Sequence, residues 1–153
     1  TCADVMSRDV VTIAPATTIG EAWHIIQDRN FSVLPVTTED RRLVAMLSRD
    51  NFVEAVGRGL GRPSLRPAGR LAHGFARGFS TQMAVERIVT KNPPKAYRDT
   101  AIAELVPYLA TARLNHVAVV DETDRLIGLV TQTDLVMALF KGDIGGQAAG
   151  RGA

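Results

Sequence analysis

Set against itself with a shift of 83 positions, from Thr17 to Thr100, the chain aligns residues 3–56 with residues 86–139 without a gap. No other feature of the sequence constrains the fold as strongly. The identities include Thr17/Thr100, Ile19/Ile102, Glu21/Glu104, Val36/Val119, Leu43/Leu126 and Val53/Val136, and the apolar pattern tracks between them. Two copies are too few for a solenoid. About 54 residues also sit near the lower limit at which a chain can bury a core alone. A paired domain follows, in which the sheets of the two copies dock with pseudo-twofold symmetry.

Each copy reads β-α-β-β-α, an α/β (α+β) architecture. In the first copy "VVTIA" (residues 10–14) is a β-branched run closed by Pro15. Thr18 and Glu21 then form a capping-box pattern, and Ile19, Ala22, Trp23 and Ile26 follow at helical spacing. The second copy repeats this stripe as Ile102, Leu105, Val106 and Leu109. Pro107 interrupts it, and an interior proline costs a helix about 3 kcal/mol, so a kink or a later helix start is expected. Two apolar strands come next, "SVLPV" and "RLVAML" in the first copy, "HVAVV" and "RLIGLV" in the second. Each copy closes with a helix, from Asp50 to about Arg58 and from Gln132 to about Lys141. The repeats accordingly span 3–56 and 84–140, with a connector at 57–83 and a flexible tail at 141–153.

Charge is unevenly placed. The net +2 of the chain hides a connector that carries Arg58, Arg62, Arg66, Arg70 and Arg77 and no acid. Without those five, 13 basic residues face 16 acidic ones, so the repeats themselves are mildly acidic. Three readings of the connector stand side by side: a solvated crossover, a loop whose arginines fold over bound phosphates, or a basic contact to nucleic acid or an anionic membrane. Its aromatics are only Phe75 and Phe79, which do not interleave with the basic residues as a single-strand platform requires, and this argues against nucleic acid.

Several function classes lack their residues. Cys2 is the single cysteine, so no intrachain disulfide can form, and it has no metal-ligand spacing with His24, His73 or His116. The sequence offers no nucleophile–base pair and no Gly-rich loop followed by Lys and Ser/Thr, so neither an enzyme nor a required cofactor is expected. With no long apolar run and no signal peptide, a cytoplasmic location is expected, whether alone or as the cytoplasmic part of a membrane protein. The start at Thr1 rather than methionine fits a piece of a longer protein or a processed product.

The strand-to-helix junctions carry the chemistry. "RLIGLVTQTDL" (residues 125–135) has a counterpart in "RLVAMLSRDNF" (residues 42–52), with Thr131 and Asp134 replaced by Ser48 and Asn51. Read locally, Thr131 is an N-cap and Asp134, at the third helical position, favours the positive helix end. The same geometry suits a ligand. A helix N-terminus offers N–H groups to an anion, and an ionised carboxylate can accept both hydroxyls of a ribose diol. Asn51 keeps an acceptor but loses the charge-assisted strength of a carboxylate, so the first junction reads as weaker or empty.

The order and duplication of "DVMSRDVVTIAPATTIGEAWHII", "LPV" and "IVTKNPPKAY", together with the two junctions, resemble a tandem CBS-domain pair, also called a Bateman module. The connector and opening are further similar in style to C-terminal regions of bacterial HPP-family membrane proteins. The CBS resemblance implies a ligand-sensing regulatory domain that binds AMP, ADP or ATP in a cleft between repeats and controls an attached membrane or enzyme domain by shifting populations. It implies Asp134 for ribose, Thr131 for phosphate, and adenine against Lys95, Ala96 and Tyr97 and against Val117, Ala118 and Val119. For His116 two readings stand, one toward phosphate and one as a structural or exposed histidine. A weaker second site would use Ser48 and Asn51 with Thr12, Ile13, Leu34 and Pro35. A homodimer through the apolar helix stripes and the closing helices is also implied. The competing reading is a ligand-free structural pair that only mediates dimerisation.

Overall fold

The structure is a computed structural model and describes residues 1–57, 82–110 and 115–149. In chain order its elements are α1 (Cys2–Val5), α2 (Ile19–Arg29), β1 (Val33–Thr37), β2 (Leu43–Ser48) and α3 (Arg49–Gly57). A 3-10 turn (Val85–Arg87), β3 (Thr90–Lys91), β4 (Lys95–Tyr97), α4 (Ile102–Ala110), β5 (His116–Val120), β6 (Leu126–Thr131) and α5 (Gln132–Ala149) follow. The connector expected at 57–83 lies almost wholly outside the described residues.

Contacts divide the chain into two units. One runs from Val11 to Pro93; the other joins Thr1–Val10 to the chain from Pro94 onward. In the first unit β1 and β2 form an antiparallel hairpin and β3 adds to β2, with Met46 opposite Thr90. Ile13 bridges Val36 in parallel on the other side of the hairpin. In the second unit β4 runs parallel to β5, with Ala96 opposite Val119, β5 pairs with β6, and Ser7 bridges Leu129. Each of these pairings recurs at the 83-residue offset, including the irregularity after Val36 and its counterpart after Val119. Both units therefore build one sheet plan.

The plan has a consequence for chain path. The last strand position of each sheet comes from the opening of the other repeat: Thr90 and Lys91 serve the first unit, and Ser7 serves the second. Sequence duplication alone does not reveal this exchange.

Local signals explain the elements. Thr18 and Glu21 form the reciprocal capping box, with Glu21 N to Thr18 Oγ1 at 3.2 Å and Thr18 N to Glu21 Oε2 at 3.2 Å. The repeated Thr17 and Thr100 accept from the amides of Ala14 (3.1 Å) and Tyr97 (2.9 Å), which closes the turn before each helix. Both hairpin turns use a left-handed residue at the same place, Arg41 (φ 66°) and Asp124 (φ 63°). The core of the first unit gathers Ile13, Ile19, Ala22, Ile26, Leu34, Val36, Leu47 and Phe52 among others. That of the second gathers Cys2, Met6, Ala96, Leu105, Leu109, Val117, Val119 and Val130. Burial pushes the Cys2 thiol up, so it behaves as a small apolar core residue.

Four expectations change. The run at 10–14 is no continuous strand; only Ile13 pairs, because Pro15 and the turn at Thr17 cut it short. Pro107 does not delay α4, which starts at Ile102, the counterpart of Ile19, since burial of Leu105 and Leu109 offsets one lost helix bond. The closing helix expected to end near Lys141 runs on as α5 as far as Ala149. The helix stripes proposed for dimerisation are mostly core: Ile19, Ile26 and Leu109 are buried, and of that set only Trp23 and Val106 are exposed.

Candidate functional site

At the second junction β6 ends on Thr131 and α5 begins at Gln132. Asp134 Oδ2 accepts from the Thr131 amide (2.9 Å) and from Thr131 Oγ1 (2.9 Å), while the Asp134 amide donates to Thr131 Oγ1 (3.2 Å). The cap reading is thus realised in full. It uses one carboxylate oxygen. Among the described residues Oδ1 takes no hydrogen bond, and Asp134 is half-buried at the head of a helix.

His116 lies directly across from Thr131 on β5, so the two side chains share a face of the sheet. Burial pushes the His116 imidazolium below its ordinary value, and the Asp134 carboxylate pulls weakly the other way. The Gln132 amide donates to the Asn115 carbonyl (3.2 Å), and Gln132 Nε2 donates to the Leu109 carbonyl (2.6 Å), which fastens the helix start to β5 and α4. Thr131, Asp134 and His116 are therefore brought together.

The expected adenine-facing residues divide by strand alternation. Ala96, Val117 and Val119 point into the core of the second unit, so a ligand could meet only their backbone. Ala118 is buried without joining that core cluster, and Tyr97 is half exposed. Lys95 is turned to the far end of the sheet, where Nζ pairs with Asp124 Oδ1 at 3.1 Å in the hairpin turn. That end also holds an open hollow of about 710 Å³ lined by Tyr97, Arg98, Asp99, Asp121, Glu122 and Thr123. Sequence reading did not single it out. Its one local signal is the turn, where hydrogen bonds from Thr123 and Arg125 hold the Asp121 carboxyl below its usual range.

The first junction keeps the two hydrogen bonds into the third helical side chain, lacks, among the described residues, a counterpart of the Asp134 amide to Thr131 Oγ1 bond, and changes the chemistry. Asn51 Oδ1 accepts from the Ser48 amide (2.7 Å) and from Ser48 Oγ (3.0 Å). Its Nδ2 donates to Thr90 Oγ1 (3.1 Å), and the side chain is buried. Both polar atoms of Asn51 are engaged inside the protein. Of the other residues expected there, Ile13 and Leu34 belong to the core, Pro35 is buried, and Thr12 is half-buried.

A model of the CBS domain matches the chain twice, over residues 2–58 and 85–141. The chain belongs to the CBS domain family. It is 24% identical over 133 residues to the inosine-5'-monophosphate dehydrogenase of Methanocaldococcus jannaschii, a match that covers 87% of this chain and 22% of that enzyme. The chain spans less than a quarter of the length of the curated relatives it matches. The likeness to such enzymes lies in their CBS region. Among solved structures, CBSX2 of Arabidopsis thaliana in complex with AMP has a TM-score of 0.73 at 19% identity, covering 94% of this chain and 98% of that one. The CBS pair of protein MJ0100, in complex with 5'-methylthioadenosine and S-adenosyl-L-methionine, has a TM-score of 0.68 at 23% identity, covering 92% and 95%. At these identities the likeness establishes the CBS-pair fold. Among the described residues no helix is long and apolar enough to cross a membrane.

Proposed function

We propose that this CBS pair is a regulatory module that binds an adenosine-type ligand at the Thr131–Asp134 junction of the second repeat and controls a partner domain. The observation that carries the reading is Asp134, a half-buried carboxylate with one oxygen committed to the cap and the other without a hydrogen bond among the described residues. A ribose diol supplies two hydroxyl donors, which a carboxylate alone among neutral-pH side chains accepts without offering a donor back. The ligands bound by the two structural relatives have adenosine in common and differ in the 5' group. Adenosine recognition is thus the shared element, and Thr131 and His116 would read the 5' substituent. AMP, ADP or ATP would act as effector. The controlled domain would be an attached enzyme or membrane domain, by analogy with enzymes of which a CBS pair is one part.

Thermal unfolding with and without AMP tests this. A ligand that binds only the folded state stabilises it by about 2.7 kcal/mol at 100 times its dissociation constant. No shift with AMP, ADP, ATP, 5'-methylthioadenosine or S-adenosyl-L-methionine at millimolar concentration would reject the reading.

A second reading, a homodimer that needs no ligand, is favoured by one observation. Val53 on α3 and Val136, Met137, Leu139 and Phe140 on α5 are exposed, apolar side chains that a second copy could cover. Sedimentation at micromolar concentration that shows only a 16.5 kDa species would exclude it.

A further inference from the structure

At the 83-residue offset His116 and Asp134 correspond to Val33 and Asn51. Both residues of the first junction are buried, and neither side chain titrates. The second junction therefore holds a pair of ionisable groups that the shared sheet plan does not require. His116 reaches the site by register, opposite Thr131 on β6, and the Asp134 carboxylate acts on its ring from the head of α5.

The head of α5 is poorly supplied for an anion. Of its first three amides, that of Gln132 goes to the Asn115 carbonyl and that of Asp134 to Thr131 Oγ1, which leaves that of Thr133. A ribose held by Asp134 would also bring its 5' phosphate close to a like charge. The neighbouring elements offer little relief. Lys95 on β4 spends its Nζ on Asp124 at 3.1 Å, β6 carries no charge, and α4 contributes Glu104 in its first turn and no cation. Lys141 lies about two and a half turns along α5. Among the described residues His116 is thus the group placed to add positive charge beside Thr131.

Burial leaves His116 neutral at pH 7 in the free protein. A phosphate dianion in the same half-buried place reverses that balance, because an opposite charge favours the imidazolium and a low local dielectric strengthens the attraction. A 5' methylthio group supplies no such charge, and a sulfonium opposes it.

We infer that His116 is a specificity-determining residue of this site: it takes up a proton from solvent when the adenosine ligand carries a 5' phosphate and stays neutral when it does not. Acidity then sets the choice between phosphate-bearing and phosphate-free adenosines. The inference rests on the proposed adenosine site at Thr131 and Asp134.

Calorimetry on the full chain at pH 7, repeated in buffers of different ionisation enthalpy, counts the protons taken up on binding. The inference expects about 0.3–1 proton per AMP and none per 5'-methylthioadenosine. Affinity for AMP should accordingly rise about 2- to 10-fold from pH 8 to pH 7, above the second phosphate ionisation at about 6, while that for 5'-methylthioadenosine stays level. His116→Gln should lose both the uptake and the pH dependence of AMP binding. The comparison of the two ligands on the wild type decides the matter even where that variant does not fold. AMP binding with no more uptake than 5'-methylthioadenosine, or uptake that persists in His116→Gln, would overturn the inference and leave the adenosine site standing. Binding of 5'-methylthioadenosine alone would do the same. If neither ligand binds, the functional reading fails and takes the inference with it.

Discussion

The two strand-to-helix junctions share a backbone path and two hydrogen bonds into the third helical side chain, yet those side chains have been put to different uses. Ser48 and Asn51 close the first, Thr131 and Asp134 the second, with the same register of hydrogen bonds into the first turn. At the first junction an amide spends its acceptor on the cap and its donor on Thr90. At the second a carboxylate keeps one oxygen in reserve. A single change from carboxylate to amide thus separates a structural fastening from a candidate ligand site. The two hydrogen bonds into that side chain cannot tell them apart, because they are common to both.

The strongest way to break this comparison is to truncate both residues. Asp134→Ala should lower AMP affinity about 10- to 100-fold, the range for hydrogen bonds to a charged group, while its cost to the free protein stays near that of a lost cap, about 1 kcal/mol. Asn51→Ala should invert the pattern. It removes the hydrogen bonds of a buried amide to Ser48 and Thr90 at a cost of about 1–3 kcal/mol, yet its effect on AMP affinity should be the smaller of the two. Calorimetry and denaturant unfolding of the two variants give both numbers. Equal losses of affinity would mean that the junctions are equivalent after all.

A second test compares the sheets. Gly128 and Ala45 are equivalent positions, and Ala45 is already accommodated in the first core. A Cβ at Gly128 would stand 2.7 Å from Met6 Sδ and 3.0 Å from the Ser7 carbonyl. Met6 could swing aside, but Ser7 is fixed by its paired backbone bonds to Leu129 (2.8 and 3.0 Å). Gly128→Ala should therefore destabilise by about 1–3 kcal/mol and expose the Ser7 and Leu129 amides to exchange. A neutral effect would mean that the exchanged opening does not hold the second sheet.

The smallest effect concerns protons. His116 has Val33 as its counterpart, a buried apolar residue. Because burial lowers the His116 value, the folded state binds fewer protons than the unfolded one near pH 6, so stability rises with pH. The contribution is present above the ordinary histidine value and is lost as pH falls through the lowered one. Partial exposure and the Asp134 charge keep it small. Acidification from pH 7.5 to 5.5 should loosen the second unit more than the first, seen as faster exchange in β5 and β6 than in β1 and β2 after correction for intrinsic rates. His116→Gln should remove the difference.

Much of this was legible beforehand. The 83-residue offset, the capping box at Thr18 and Glu21, both hairpins and both junction caps are local or near-local facts, set by side-chain period and by hydrogen bonds that span three or four residues. Thr131, Asp134 and His116 could be grouped because the β5–β6 hairpin brings residues 116 and 131 together by register alone. Strand alternation divides residues 117–119 between two faces, but which face is buried depends on what packs there.

The sequence by itself determined the repeat, its sheet plan and the chemistry available at each junction. Tertiary structure decided where each repeat's opening goes, that Pro107 is tolerated within α4, and what Asn51 does with its donor. Those outcomes join residues as distant as Ser7 and Leu129, or Asn51 and Thr90. No periodicity or propensity carries that information. It resides in the free energy of burying Met6, Leu105 and Leu109 and of satisfying Asn51 once the chain has come together.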